Sequence, residues 1–396
     1  MGWYKPFNEL DAKQINVRDA IMRALDRSHW IRGFAGTGKT LILTHAIERV
    51  AALHPNASLC YVTYTHALKD MVLSGLHGPV AERIVVMTHA KFLWRPQRYD
   101  YVFLDEVQDI APMALARIRK LAGTVVVAGD PEQSIYENGA SEGEITQALE
   151  PQQWQLLQIF RLTDLLRRVA HAILPSSKIV EGQMANTDSN VTIRMASFAS
   201  GRDEVCWVWD QASSRAVPGS PATILFPTHD AIAAFMRALA AELGREGPDS
   251  TPQDKRYEHF NAYWADMGLQ YFGNGHGSLP ETERKPMVCL MTFHSSKGLD
   301  FENVFIPKMD EEAEIVSEFA REKDPELERR LLFVAVTRSR KNLFITYHGA
   351  RPHRLLQNLP AEATVSVQKT KARIGATMSP RQIEESAPDN EQDLLF

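Results

Sequence analysis

The chain has 396 residues, 44% hydrophobic and 23% charged, with 44 Lys+Arg against 49 Asp+Glu for a net charge of −5. This composition excludes wholesale disorder and suffices for two or three cores of roughly 150 residues each. The negative balance argues against coating nucleic acid through bulk positive potential, so any basic groove must be local. Cys60, Cys206 and Cys289 lie far apart without CxxC spacing, which points away from a disulfide framework or a zinc cluster. The N-terminal MGWYKPFNEL has no apolar h-region, position 6 is Pro where a myristoylation signal needs Ser or Thr, and no apolar run approaches a membrane span. The chain reads as soluble and cytoplasmic, without a membrane partner.

No repeat at solenoid periods is visible. In chain order, WIRGF (30–34), LCYVTY (59–64), RIVVMT (83–88), YVFLDE (101–106) and TVVVAGD (124–130) predict strands, with helical patterns at 38–53 and 111–121 between them. Strands alternating with helices imply a parallel sheet covered on both faces. A second series follows: helix at 161–174, strand at 191–195, helix at 203–213, strand at 222–227, helix at 229–243, and strands at 287–293, 303–309 and 343–348. Residues 244–286 are polar and rich in Gly and Pro, and are expected to form a loop or small subdomain. The predicted fold is α/β with two domains, 1–150 and 151–360, followed by a disordered tail at 361–396.

GFAGTGKT (33–40) matches G-x-x-x-x-G-K-[ST] between a strand and a helix. Gly33, Gly36 and Gly38 let the backbone amides of the loop, including Ala35 and Thr37, turn toward phosphate oxygens. Lys39 would reach the β- and γ-phosphates of ATP, and Thr40 would offer a hydroxyl to Mg²⁺. VFLDEVQD (102–109) ends an apolar strand in Asp105, a metal ligand, and Glu106, which orients or deprotonates water. AGDPEQS (128–134) puts Gln133 at the sheet's carboxyl edge, as a γ-phosphate sensor would be.

Taken in order, these motifs resemble the UvrD/Rep/PcrA-like group of superfamily 1 DNA helicases. LDAKQ (10–14) resembles the Q motif, VTYTHALKDMV (62–72) and MTHAKF (87–92) the first-domain DNA motifs, and GDPEQSIY (129–136) motif III. IFRLTDLL (159–166) is similar to motif IV, MTFHSSKGLDF (291–301) to motif V and ERRLLFVAVTRSR (328–340) to motif VI. The resemblance implies two tandem RecA-like domains. It makes Gln14 the adenine reader, Phe160 an adenine stacker, Asp300 a ribose contact, Arg161 a γ-phosphate contact and Arg338 the second domain's arginine finger. It also implies single-stranded DNA, or a single-strand/duplex junction, held by Thr63, Tyr64, His89, Tyr136, Thr292 and His294, with 3′→5′ polarity. Tyr64 and Tyr136 also fit plain packing at strand ends, and Trp207 and Trp209 read as packing residues.

Two departures bear on activity. The large insertions of the family are missing, the second reduced to 244–286 at most, and Asn138 stands where motif III has a base-stacking ring. The implied function is an ATP-dependent helicase or translocase, the alternative an ATP-gated DNA-binding module of a repair or anti-phage complex. A small-molecule P-loop kinase gives no account of VAVTRSR. The last five residues, with Gln392, Leu394, Leu395 and Phe396, resemble the bacterial sliding-clamp-binding peptide Q-x-x-L-F, and the other reading is an apolar end tucked onto the protein's own surface. Residues 381–396 hold one arginine and five acids, so nearly all the net charge sits in the tail.

Overall fold

Apolar β-rich runs build two parallel sheets in a computed structural model that describes residues 3–188, 191–246, 257–273 and 275–363. The first contains β1 (His29–Gly33), β2 (Leu59–Thr63), β3 (Val85–Thr88), β4 (Tyr99–Leu104), β5 (Ala122–Gly129) and β6 (Gln152–Leu156), in the order β3-β2-β4-β5-β1-β6. A short ladder of β7 (Gln158–Ile159) and β8 (Gln183–Met184) follows. The second sheet contains β9 (Thr192–Phe198), β10 (Ala222–Phe226), β11 (Leu269–Tyr271), β12 (Val288–Thr292), β13 (Phe301–Ile306) and β14 (Ser339–His348), ordered β11-β12-β10-β13-β14-β9.

Period-two alternation divides the cores. Val125 and Val127 face one cluster of the first lobe, while Val126 and Ala128 between them face the other. In β12, Val288 and Leu290 join the outer core of the second lobe, and Cys289 and Met291 join the inner one. That inner cluster is continuous from Val17 and Ile31 of the first lobe to Leu332 and Ile345 of the second. All three cysteines are buried free thiols.

Two boundaries differ from expectation. Gln152 pairs with His29, so the first sheet runs past residue 150. Its last strand, QQWQL, is a mostly exposed edge with no apolar pattern. Residues 157–188, with helix Asp164–Ile173, connect the sheets and pack into the shared core through Leu166, Val169 and Ile173. Of the two expectations for 244–286, a loop or a small subdomain, the described residues fit the second: helices Tyr257–Trp264 and Leu279–Arg284 flank β11, which pairs with β12 at the sheet edge. Ala361–Ala363, expected to open the tail, instead forms a 3-10 turn that buries Ala363; Gln392, Leu394, Leu395 and Phe396 lie outside the described residues. Among the described residues no helix is long and apolar enough to cross a membrane.

Phe235 of helix His229–Glu242 is fully buried against Phe226, with ring centroids 5.3 Å apart. Phe235→Ala is expected to cost about 3–5 kcal/mol, read as a lowered midpoint in chemical denaturation with an unchanged slope.

Candidate nucleotide cleft and nucleic-acid groove

β1 ends at Gly33, and a tight loop leads into helix Lys39–Leu53. Gly36 and Gly38 have φ of +80° and +85°, where a side chain is strained. A Cβ on Gly36 would lie 2.7 Å from Arg161 Cβ, and one on Gly38 would lie 2.5 Å from Gln14 Nε2. Gly33 lies beneath the loop, where a Cβ would meet Thr37 Oγ1 at 2.6 Å. Gln14 belongs to the capping box of helix Ala12–Arg23, and its Nε2 donates to the Thr37 carbonyl at 3.1 Å, fixing the loop from its Gln14 side. Lys39 Nζ donates to the Gly33 and Phe34 carbonyls at 2.7 and 3.1 Å. Burial lowers its pKa against the opposing pull of Asp130, Glu106 and Asp105.

Thr40 Oγ1 donates to Asp105 Oδ2 at 2.6 Å, and the Tyr61 hydroxyl donates to the same oxygen at 3.0 Å. Burial, then the neighbouring Glu106, pushes the Asp105 carboxyl above the usual range. Among the described residues this carboxylate forms no ion pair, and it stands next to a hydroxyl. The pair fits Mg²⁺, a hard ion that takes few protein oxygens. Among the described residues no group of three or more His, Cys, Asp or Glu could hold a metal, so phosphate and water would complete the shell. Glu106 has a left-handed backbone, φ 54°, of the kind that costs about 1–3 kcal/mol and concentrates at functional sites. Burial pushes its carboxyl up, but Lys297, Lys39 and a 2.5 Å hydrogen bond from Gln108 Nε2 outweigh it and hold the group ionised.

These groups open on a cleft of about 430 Å³ lined from both lobes. Gln14, Ala35, Gly36, Thr37, Gly38, Lys39, Thr40, Glu106, Gln133, Phe160, Arg161, Asp300 and Arg338 all line it; Gly33 and Asp105 lie behind its wall. Gln133 Nε2 donates to Asp130 Oδ2 at 2.7 Å, and the Phe160 amide donates to the Gly36 carbonyl at 3.0 Å. Arg161 therefore sits in the connecting segment against the phosphate loop, not on the far lobe as expected. Its guanidinium lies 3.2 Å from Asp300. Asp300 thus holds cations in this structure rather than standing free for a ribose. Arg338 is folded back onto its own lobe, with Nε donating to the Val334 carbonyl at 2.9 Å and Nη1 to the Leu299 carbonyl at 3.0 Å. Burial, then Arg161, pulls its pKa down to about 9.

Two cations escaped the sequence reading. Arg340 lines the cleft 3.2 Å from Asp300; its spacing of two from Arg338 was the available signal. Lys297 is 2% exposed and crosses the lobe boundary to Asp109 at 2.6 Å, Glu106 at 3.9 Å and the Gln133 carbonyl. A lysine in SSKG carries no signal of burial.

A second groove, also about 430 Å³, is lined by Tyr64, His66 and Tyr136 on one side and Thr228, Thr292, His294 and Ser295 on the other. Tyr64 stacks on Tyr136 at 4.0 Å and on His89 at 4.5 Å, and Tyr136 meets His294 at 5.5 Å. Four of the six residues expected to hold nucleic acid, Tyr64, Tyr136, Thr292 and His294, line this groove, and His89 stacks behind Tyr64 without lining it. Thr63 is fully buried in β2, its hydroxyl without a hydrogen-bond partner among the described residues, and it lies outside the lining. Exposed Asn138 brings no ring to the neighbouring turn.

An AAA domain model matches residues 18–139, and a UvrD-like helicase C-terminal domain model matches residues 274–350. The chain is 43% identical over 88 residues to the ATP-dependent DNA helicase Rep of Buchnera aphidicola, covering 20% of this chain and 13% of that protein. It is 38% identical over 111 residues to DNA helicase II of Escherichia coli, covering 23% and 15%. The aligned segments therefore span less than a fifth of these relatives. Among solved structures, a PRRSV helicase superposes with a TM-score of 0.45 at 18% identity, over 86% of this chain and 57% of that one.

Removing one partner of a buried ion pair strands the other, so Lys297→Met should cost about 3–5 kcal/mol, most of it regained in Lys297→Met/Asp109→Leu. Denaturation of both variants checks this, and an unrecovered double variant would contradict it. Burial depresses the His294 pKa from 6.5 to about 4. Between those values the unfolded chain binds the proton and the folded chain does not, so stability falls as pH falls through that window. The loss from this group should be on the order of 3 kcal/mol, and His294→Gln should flatten that part of the melting-temperature profile.

Proposed function

The chain belongs to the UvrD/Rep/PcrA-like group of superfamily 1 helicases, and on that premise we propose that it hydrolyses ATP in the cleft and uses the cycle to step along single-stranded DNA in the groove. The observation that carries this reading is that both sites are split by the same lobe boundary: the cleft joins Lys39 and Glu106 to Arg338, and the groove joins Tyr64 to His294. Any motion that closes one alters the other.

In this cycle Lys39 exchanges its two loop carbonyls for phosphate oxygens; Thr40 and Asp105 would hold Mg²⁺, which would neutralise phosphate charge when bound. Glu106, kept ionised by its lysine neighbours, orients and deprotonates the attacking water. Gln133 reports the γ-phosphate. Arg338 leaves its backbone carbonyls for the charge that develops during transfer, and Arg161 leaves Asp300. Lobe closure is favoured while the phosphate holds the arginines and relaxes after its release. The rings of Tyr64 and Tyr136 part to stack bases, an interaction indifferent to sequence. Polarity is 3′→5′ on the strength of the family alone.

A second reading draws on exposed Asn138: without a stacking ring there, the protein closes on DNA under ATP control but does not separate strands. Fork unwinding by a preparation with verified ATPase activity separates the two. We also propose that the C-terminal peptide, Gln392 with Leu394, Leu395 and Phe396, docks on a bacterial sliding clamp, its affinity raised by the tether once DNA is bound. Removing residues 392–396 should abolish clamp pull-down, and undiminished capture would refute the docking.

The central test is the ATPase rate with single-stranded DNA, duplex DNA and RNA, with and without clamp. Single-stranded DNA should stimulate most. Lys39→Ala should abolish turnover, Glu106→Gln should bind ATP without hydrolysing it, and Arg338→Ala should lose about 10³–10⁵ in rate. Rapid hydrolysis by Glu106→Gln would overturn its role.

A further inference from the structure

Helix His89–Trp94 starts at the groove, where His89 stacks on Tyr64, and ends on the surface. Trp94 is 74% exposed, and of the seven tryptophans it alone is exposed. Single exposed apolar side chains are ordinary, but the surroundings of this one are not. Residues 89–99, HAKFLWRPQRY, contain no acid in a chain of net charge −5. Lys91, Arg95 and Arg98 are all exposed, and none forms an ion pair among the described residues. The next acid, Asp100, is turned away, accepting from the Ser58 amide and hydroxyl at 2.7 and 2.8 Å. The Arg95 guanidinium lies over the Trp94 ring, 4.8 Å from its centroid, and most of the indole is open to solvent. His66 of the groove has its pKa lowered by burial, then by Lys69 against the pull of Asp70, with His276 and last Lys91 adding to the lowering.

We propose that Trp94, with Lys91, Arg95 and Arg98, is a second contact for single-stranded nucleic acid, taking a base and its flanking phosphates where the strand leaves the Tyr64–Tyr136 groove. It rests on the reading of that groove given above. Its chemistry matches the ligand: a planar ring accepts any base, and three unpaired cations accept phosphates. A rise of 1.5 Å per residue places Trp94 about 7.5 Å along the helix from His89, a span of roughly one to three nucleotides.

The test is fluorescence anisotropy of labelled oligothymidylates of increasing length with the full chain. Oligomers that fill only the groove should bind wild type and Trp94→Ala equally. Once the strand is long enough to reach the helix, Trp94→Ala should lose about tenfold in affinity while Trp94→Phe retains most of it. Lys91→Ala/Arg95→Ala/Arg98→Ala should lower the slope of log affinity against log salt by about two. Equal affinity of Trp94→Ala and wild type at every length would overturn the proposal. So would a Trp94→Ala effect confined to self-association in sedimentation, which would mark a protein-docking face instead. If short oligomers bind and Tyr136→Ala weakens them while Trp94→Ala changes nothing, the groove reading stands and this one falls. If wild type binds no oligomer, both fall.

Discussion

One buried ammonium organises the molecule. Lys297 comes from the second lobe but finds its counter-charges, Asp109 and Glu106, on the first. An isolated charge at that depth would be prohibitive, so the two lobes can hold this approach only while the acids meet the lysine. The same ammonium, with Lys39 and the Gln108 amide, opposes the burial that pushes the Glu106 carboxyl up. Relative lobe position and the charge state of the carboxylate next to the phosphate loop therefore share one contributor.

The segment carrying Lys297 extends this dependence. Thr292, His294 and Ser295 line the groove, Lys297 reaches the acids, and Gly298 and Asp300 line the cleft. The turn is internally tied, with Thr292 Oγ1 bonded to Ser295 Oγ at 2.9 Å and the Ser295 amide donating back at 3.1 Å. Gly298, at φ +83°, lets it pass over Leu68 of the first lobe, where a Cβ would stand 3.1 Å from that side chain. A displacement at one end of so short and so constrained a turn is felt at the other. The cleft arginines fit this picture, because each is already occupied: Arg161 and Arg340 by Asp300, Arg338 by backbone carbonyls. On the proposed reading, a phosphate entering the cleft would have to exchange partners with them, and that exchange, more than bare attraction, would link nucleotide binding to rearrangement.

What the sequence disclosed follows from where the information lies. Internal strands such as β5 and β12 were legible because both faces are buried and their runs are continuously apolar. Edge strands β6 and β11 were not, since QQWQL is largely exposed and LQY is short and set among Gly and Pro. The phosphate loop and acidic strand end were legible because their chemistry is local, requiring glycines, a lysine and carboxylates at fixed spacing. Lys297 and Arg340 were not, because their roles come from partners far away in the chain. The rotamer of Arg338 belongs to the same class: its position followed from VAVTRSR, but its retreat onto Val334 and Leu299 is decided by tertiary packing.

The charge balance resolves in the same spatial terms. A net charge of −5 argues against a nucleic-acid binder only if charge is spread evenly, and here it is partitioned. Most of the excess acid lies in residues 381–396. Several acids of the folded body are withdrawn from the surface: Asp105 beneath Thr40, Asp109 against Lys297, and Glu204 under Thr346 and His348. Buried and paired acids add little to the field a polyanion meets, whereas exposed Lys91, Arg95 and Arg98 act at full strength over about a Debye length of 8–10 Å. A chain of acidic composition can thus present a basic face beside its groove, because the distribution of charge, set by the fold, decides what approaches.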